Sequence, residues 1–187
     1  MLETVSFTTM ADGTYEEYQM LEGKFRTLYE ELPDTVLKQL GKLGGDKMGY
    51  KVDRLEHSMQ TATRAFRDGA DEETVVVALL HDIGDNLAPM NHADVAAAIM
   101  KPFIAKENLW MLQHHSVFQG YYYYHHVGLD RNARDRYRGH PQFEMTANFC
   151  ERWDQMSFDP GYDTMPLSSF EPMVRRLFGK KPYFYGE

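Results

Sequence analysis

Apolar residues recur at three- and four-residue intervals along most of this chain, the spacing of helices that bury one face. Tyr18, Leu21, Phe25 and Leu28 mark one such helix over about 16–28, and Val36, Leu37, Leu40 and Leu43 a second over about 34–43. Gly44, Gly45 and Gly49 then interrupt the pattern as a flexible connection. Leu55, Met59, Ala62 and Phe66 form the stripe of a third helix, which Gly69 ends. The run from Val75 to Leu80 is apolar on every side, as in a fully buried helix, and Asp71, Glu72 and Glu73 place negative charge at its start, where the helix dipole favours it. Asn91 with Asp94 predicts an N-cap for a helix through Val95, Ile99 and Met100 that Pro102 closes, and another runs from about Glu107 to Gln119. A further helix carries Phe149, Trp153 and Asp154, and a short one lies near Phe170 to Phe178.

No sustained alternation of apolar and polar residues predicts a strand, and no internal repeat is visible, so the fold class is all-α. Residues 1–20 lack a helical period and read as an extended arm. Beyond residue 157, Pro160, Pro166, Pro172 and Pro182 among aromatic side chains predict an irregular, packed flap. The 187 residues fit one domain of ordinary size, with an arm and helices over 1–45, a core over 50–159 and the flap over 160–187.

Composition narrows the function. With 43% hydrophobic and 13% aromatic residues the chain can build an ordered core, and a net charge of −8 disfavours a nucleic-acid partner. The apolar run Val75–Leu80 falls far short of the roughly 20 residues that cross a bilayer, and Glu3 stands where an export signal would be basic. A soluble, cytoplasmic protein with no membrane partner is expected. Cys150 is the single cysteine, which excludes an intrachain disulfide and a thiolate cage, so any metal site must use histidine and carboxylate.

Such a site follows from hairpin arithmetic. His57 lies twelve residues before Gly69 and His81 twelve after it, so two antiparallel helices meeting at that glycine bring both imidazoles to one height. His92, eleven before Phe103, and His115, twelve after it, repeat the relation. A lone histidine on a helix is ordinarily a core or surface residue; two matched pairs point to ligands. Asp82 follows His81 at the end of a buried apolar helix, where an ionised carboxylate is costly without a cation, and its two oxygens suit it to bridge two ions. Nitrogen and oxygen donors without sulfur fit iron, manganese or zinc. The helical period leaves His114 and His115 equally placed, since Trp110-His114-Val117 and Met111-His115-Phe118 are both coherent stripes.

His57, then His81-Asp82 and a distant Asp154, resemble the H…HD…D signature of the HD-domain superfamily of all-α metalloproteins, and His92 and His115 resemble the extra ligands of its dinuclear members. Leu55-Glu56-His57-Ser58, Ala78-Leu79-Leu80-His81-Asp82-Ile83-Gly84 and Trp153-Asp154 are closer still to the small mixed-valent diiron oxygenases of organophosphonate catabolism, over roughly residues 50–159. The resemblance implies an HD-domain helical bundle with two iron ions, Fe(II)/Fe(III), and O₂ as co-substrate. His57, His81 and Asp154 would hold one iron and His92 and His115 the other, with Asp82 between them. His115 rather than His114 matches the family's ligand position. The implied reaction is oxidative cleavage of the C–P bond in a small phosphonate carrying a 1-hydroxyl group, and the implied competing activity is metal-dependent phosphohydrolysis of a nucleotide or other phosphate ester. A non-catalytic signalling or scaffold domain is a third alternative, which retention of all six ligand positions argues against.

The chain departs from the family's aminophosphonate branch at two substrate positions, where Asp85 replaces a histidine and Gln119 a lysine. Asp85 and the block Tyr121-Tyr122-Tyr123-Tyr124 predict a cationic end to the substrate, since aromatic faces attract quaternary ammonium groups. This favours 1-hydroxy-2-(trimethylammonio)ethylphosphonate, cleaved to glycine betaine and phosphate. The tyrosines equally suit core packing or a homodimer surface, and the competing role of Asp85 is a carboxylate that orients a metal-binding histidine. Arg131 and Arg134 could offer guanidinium forks to the phosphonate or line a solvated helix face, and Tyr50, with Asp53, a mobile lid over one iron or a helix-start anchor.

Overall fold

The computed structural model describes residues 4–182, and every regular element among them is helical. In chain order the α-helices are α1 (Tyr15–Glu30), α2 (Leu32–Gly41), α3 (Arg54–Arg67), α4 (Glu72–Leu80), α5 (His92–Met100), α6 (Lys106–Tyr123), α7 (Phe143–Phe149) and α8 (Leu167–Phe178). No helix among the described residues is long and apolar enough to cross a membrane.

The core is built around α4. Seven of its nine residues, Thr74 to Leu80, are buried, because neighbours surround it: α3 along one side, α8 on another and α6 beyond. Asp71 caps its start, accepting from the Thr74 amide at 2.9 Å and from the Thr74 hydroxyl at 3.0 Å. The α3–α4 turn is closed at Gly69, whose φ of +78° lies in the left-handed region that glycine enters without penalty. There the Ala70 amide reaches back to Ala65 O at 3.0 Å and the Gly69 amide to Phe66 O at 3.1 Å, the paired bonds of a helix C-terminal Schellman turn. A second antiparallel pair, α5 with α6, packs beside the first.

Several elements differ from their sequence reading. The arm becomes helical at Tyr15, because Thr14 and Glu17 form a reciprocal capping box, and Glu17 also accepts from the Ser6 amide at 2.6 Å. Asn91 precedes α5, but its side chain makes no capping bond. The α6 helix continues past Gln119 through Tyr121, Tyr122 and Tyr123. The helix predicted to carry Asp154 ends at Phe149 and passes into a π-helical turn, Cys150–Asp154, in which the Gln155 amide bonds Cys150 O at 3.0 Å. Phe149 and Asp154 are both buried; an unbroken α-helix would set them about 140° apart, and the wider turn reduces that angle.

The flap is held down on α3. Gln60 donates to Asp159 O at 2.7 Å and accepts from the Asp159 amide at 3.3 Å, Thr63 accepts from the Met165 amide at 3.1 Å, and Thr164 donates to Glu56 at 2.5 Å.

Leu79 is fully buried in α4, so Leu79→Ala should cost about 2–5 kcal/mol through lost burial and an unfilled cavity. A urea midpoint that falls with unchanged slope checks it.

Candidate metal centre

His57 sits in the first turn of α3, His81 directly after α4, His92 at the first position of α5, His115 inside α6 and Asp154 at the end of the π-turn. The two helical hairpins bring the imidazoles together in pairs: His57 Nε2 lies 3.2 Å from His81 Nε2, and His92 Nε2 lies 3.3 Å from His115 Nε2. Asp82 stands between the pairs. Its Oδ2 is 3.3 Å from His57 Nε2 and 3.2 Å from His81 Nε2, and its Oδ1 is 3.2 Å from His92 Nε2 and 3.4 Å from His115 Nε2. Asp154 Oδ1 joins the first pair, 3.3 Å from His57 and 3.7 Å from His81.

The far side of each ring is fixed by an acceptor. His57 Nδ1 faces Ser157 O at 2.9 Å, His81 Nδ1 faces Ala78 O at 2.8 Å and His115 Nδ1 faces Leu112 O at 2.7 Å. His92 Nδ1 faces Asp85 Oδ1 at 3.2 Å. Carbonyl and carboxylate oxygens only accept, so each Nδ1 carries the donated proton and each Nε2 presents a lone pair inward. Facing lone pairs repel unless a proton or a cation lies between them. Two nitrogens about 2.1 Å from one ion and roughly 100° apart at it are separated by about 3.2 Å, close to the spacing of both pairs. Asp154 Oδ2 and Gln119 Oε1 are buried without a hydrogen-bond partner among the described residues. The buried donors His57, His81 and Asp154, and beside them His81, Asp82 and His115, could therefore hold a metal ion.

Burial alone would push the Asp82 pKa up, but the His81 charge and Arg54 hold it well below the usual carboxylate range. Burial likewise disfavours protonated His81, yet the Asp82 charge and the Asp154 bond outweigh it and push its pKa up to about 10. His57 is raised by Asp154 and Asp82 against its own desolvation. Without metal, protons substitute for cations.

His115, not His114, joins the cluster. His114 donates from Nδ1 to Trp110 O at 2.7 Å and stacks on Trp110, opening onto a separate surface hollow. Gln119 lies in the site and donates to Asp154 Oδ1 at 3.1 Å. Asp85, for which charge recognition and orientation of a histidine are the two expected roles, binds Arg54 Nε through Oδ2 at 2.6 Å and faces His92 Nδ1 through Oδ1, the arrangement of the second role. Its charge is spent inside the site, in the manner of a carboxylate that orients a metal-binding histidine. Arg131 and Arg134 place their guanidinium carbons 4.3 and 3.8 Å from the centre of the Tyr121 ring, and none of these three lines the cavity above the cluster. Tyr122 and Tyr123 do line it, together with Tyr50 and Phe158. Tyr50 stacks on Phe158 at 5.1 Å and Phe158 on His57 at 4.4 Å, an aromatic column from a ligand to an exposed tyrosine at the mouth. Asp53 does not join this column; it caps α3, accepting from the Glu56 amide at 2.8 Å.

Three participants escaped the sequence reading. Arg54 bonds both Asp82 and Asp85, Ser116 Oγ lies 3.1 Å from His92 Nε2, and Ser157 supplies the carbonyl that orients His57. Arg54 alone carried a legible signal, falling one helical turn before His57 on the same face. No family model matches the chain, and no curated protein matches it.

The titrations have a checkable sign. The raised His81 pKa contributes stability to the metal-free fold that is complete below 6.5 and lost as pH rises through about 10. The lowered Asp82 pKa contributes stability present above 3.8 and lost as pH falls through its folded value. Melting of chelated protein should accordingly peak between about pH 4 and 6.5, and metal added at pH 7 should release protons to an indicator dye. Gly84 supplies a second test. A Cβ there would lie 2.6 Å from His92 O and 2.8 Å from Val95 Cβ, so Gly84→Ala must push back the start of α5. Metal analysis should show affinity at the His92–His115 position reduced about 10–100-fold, with the His57–His81 position retained.

Proposed function

We propose that this protein is an HD-type dinuclear iron oxygenase that uses O₂ to cleave the C–P bond of a 1-hydroxyalkylphosphonate, with 1-hydroxy-2-(trimethylammonio)ethylphosphonate as preferred substrate and glycine betaine and phosphate as products. The observation that carries the reading is Asp82, whose two oxygens each face a separate histidine pair, the arrangement a carboxylate adopts between two ions. Iron held by these nitrogen and oxygen donors would supply the redox chemistry that O₂ reduction requires.

The chain's own residues then divide the remaining work. Gln119 holds the Asp154 carboxylate against the first histidine pair, and Asp85 fixes the tautomer of His92. The cavity measures about 260 Å³, below the roughly 300–1,000 Å³ of sites for drug-sized ligands, which favours a small phosphonate over a nucleotide. Four aromatic residues, Tyr50, Tyr122, Tyr123 and Phe158, line it. With Asp85 already paired, recognition of a quaternary ammonium falls to these faces, each contact contributing roughly 0.5–2 kcal/mol. A primary ammonium is more strongly hydrated and gives up more of that hydration on entering an aromatic cage. The Tyr50 ring, set at the mouth against Phe158, can cover the site once substrate is bound.

Iron-loaded protein should consume O₂ and release phosphate with the trimethylammonio compound, and kcat/KM should exceed that for the primary amine by about tenfold or more, equivalent to about 1.4 kcal/mol. Anaerobic phosphate release from a phosphate ester, with no O₂ uptake on any hydroxyphosphonate, would replace the oxygenase reading with hydrolysis.

A further inference from the structure

We propose that Arg54 is the anion-recognition residue of this cavity and receives the phosphorus oxyanion of the substrate. Among the described residues lining the cavity it is the only lysine or arginine. Of the positions that the sequence offered for this task, Arg131 and Arg134 are stacked on Tyr121 outside the cavity, and Gln119, which lines it, is uncharged and bonded to Asp154.

The guanidinium is already aimed. Its side chain is only 19% exposed; Nε donates to Asp85 at 2.6 Å, and Nη2 donates to Asp82 Oδ2. These bonds hold the plane of the fork against the turn after α4, and among the described residues none engages Nη1. A guanidinium carries five N–H donors, so Nη1 keeps both of its hydrogens for a ligand. Asp82 Oδ2 is also the oxygen that faces the His57–His81 pair, so a metal ion there competes with Arg54 for it. With a cation held by His57, His81 and Asp82, Nη2 would be free to donate to a ligand beside Nη1. Two parallel N–H donors match two oxygens of one phosphorus group, which an ammonium cannot do. Low solvent exposure strengthens the pairing and explains why a net charge of −8 does not prevent an anionic substrate from being held.

The inference deepens the reading above by naming what holds the phosphorus end. It applies equally to a phosphate ester, so it survives a result in which O₂ is not consumed.

The experiment titrates methylphosphonate calorimetrically into metal-loaded wild-type, Arg54→Lys and Arg54→Gln proteins, the metal content of each being measured beforehand. Arg54→Gln should weaken binding about 10- to 100-fold with metal content unchanged, and Arg54→Lys should recover only part of the loss. In the wild type, methylphosphonate should protect Arg54 from modification by phenylglyoxal, read by peptide mass spectrometry; this measurement does not depend on how a variant folds. Equal affinity in wild type and Arg54→Gln, or modification of Arg54 at the same rate with and without methylphosphonate, would show that the metals alone hold the anion. Loss of metal from Arg54→Gln and Arg54→Lys alike, with no protection in the wild type, would make Arg54 a counter-ion of Asp82 and overturn the proposal.

Discussion

A carboxylate removed from water must be surrounded by positive charge or by donors, and the centre of this molecule is organised around that requirement at Asp82. Four imidazoles and one guanidinium converge on its two oxygens. The chain places it just after α4, the most buried helix, where it is only 2% exposed. Leaving its oxygens without cations would cost several kcal/mol, comparable with the net stability of a whole domain. The arrangement therefore constrains the helices as much as they constrain it.

The supporting structure works through backbone acceptors. Ala78 O, Leu112 O and Ser157 O each take an Nδ1 proton, so three of the four rings are oriented by the main chain rather than by movable side chains. Two of these carbonyls lie three residues before the histidine they hold, within the same helical segment. The third comes from a hundred residues away and ties the flap to the first turn of α3. Cys150, whose buried thiol is pushed up in pKa, donates weakly to His115 O at 3.5 Å and joins the π-turn to α6. Rigidity of this kind keeps lone pairs facing inward at a spacing that a cation can fill.

Charge outside the cluster is equally ordered. Arg54 and Asp85 form the bridge between the carboxylate and the second histidine pair, so a change at either is transmitted to both histidine pairs. The tyrosine block is divided by the helix that carries it: Tyr121 accepts two guanidinium groups on the outside while Tyr122 and Tyr123 turn toward the cavity. One run of identical residues thus performs different work on different faces of α6.

What the sequence by itself determined is local or periodic. The all-helical class followed from apolar spacing, the α3–α4 turn from Gly69, and the two histidine pairs from equal distances to a hairpin turn, because antiparallel helices convert residue count directly into height. Spacing also singled out Asp82 as the carboxylate between them. Tertiary structure alone decided the rest. His115 and His114 were equivalent by helical period, and only the packing of α5 on α6 selected the face that turns inward. The π-turn before Asp154 depends on burying Phe149 and Asp154 together, and the Ser157 carbonyl reaches His57 only because the flap folds across α3. Asp85 suited either substrate charge or a histidine partner when read alone, and the chain brought Arg54 and His92 to it. Periodicity specifies which side of a helix is apolar, whereas the partner of a charged group is set by residues distant in sequence, and the cost of leaving it unpaired appears only after the chain has closed around it.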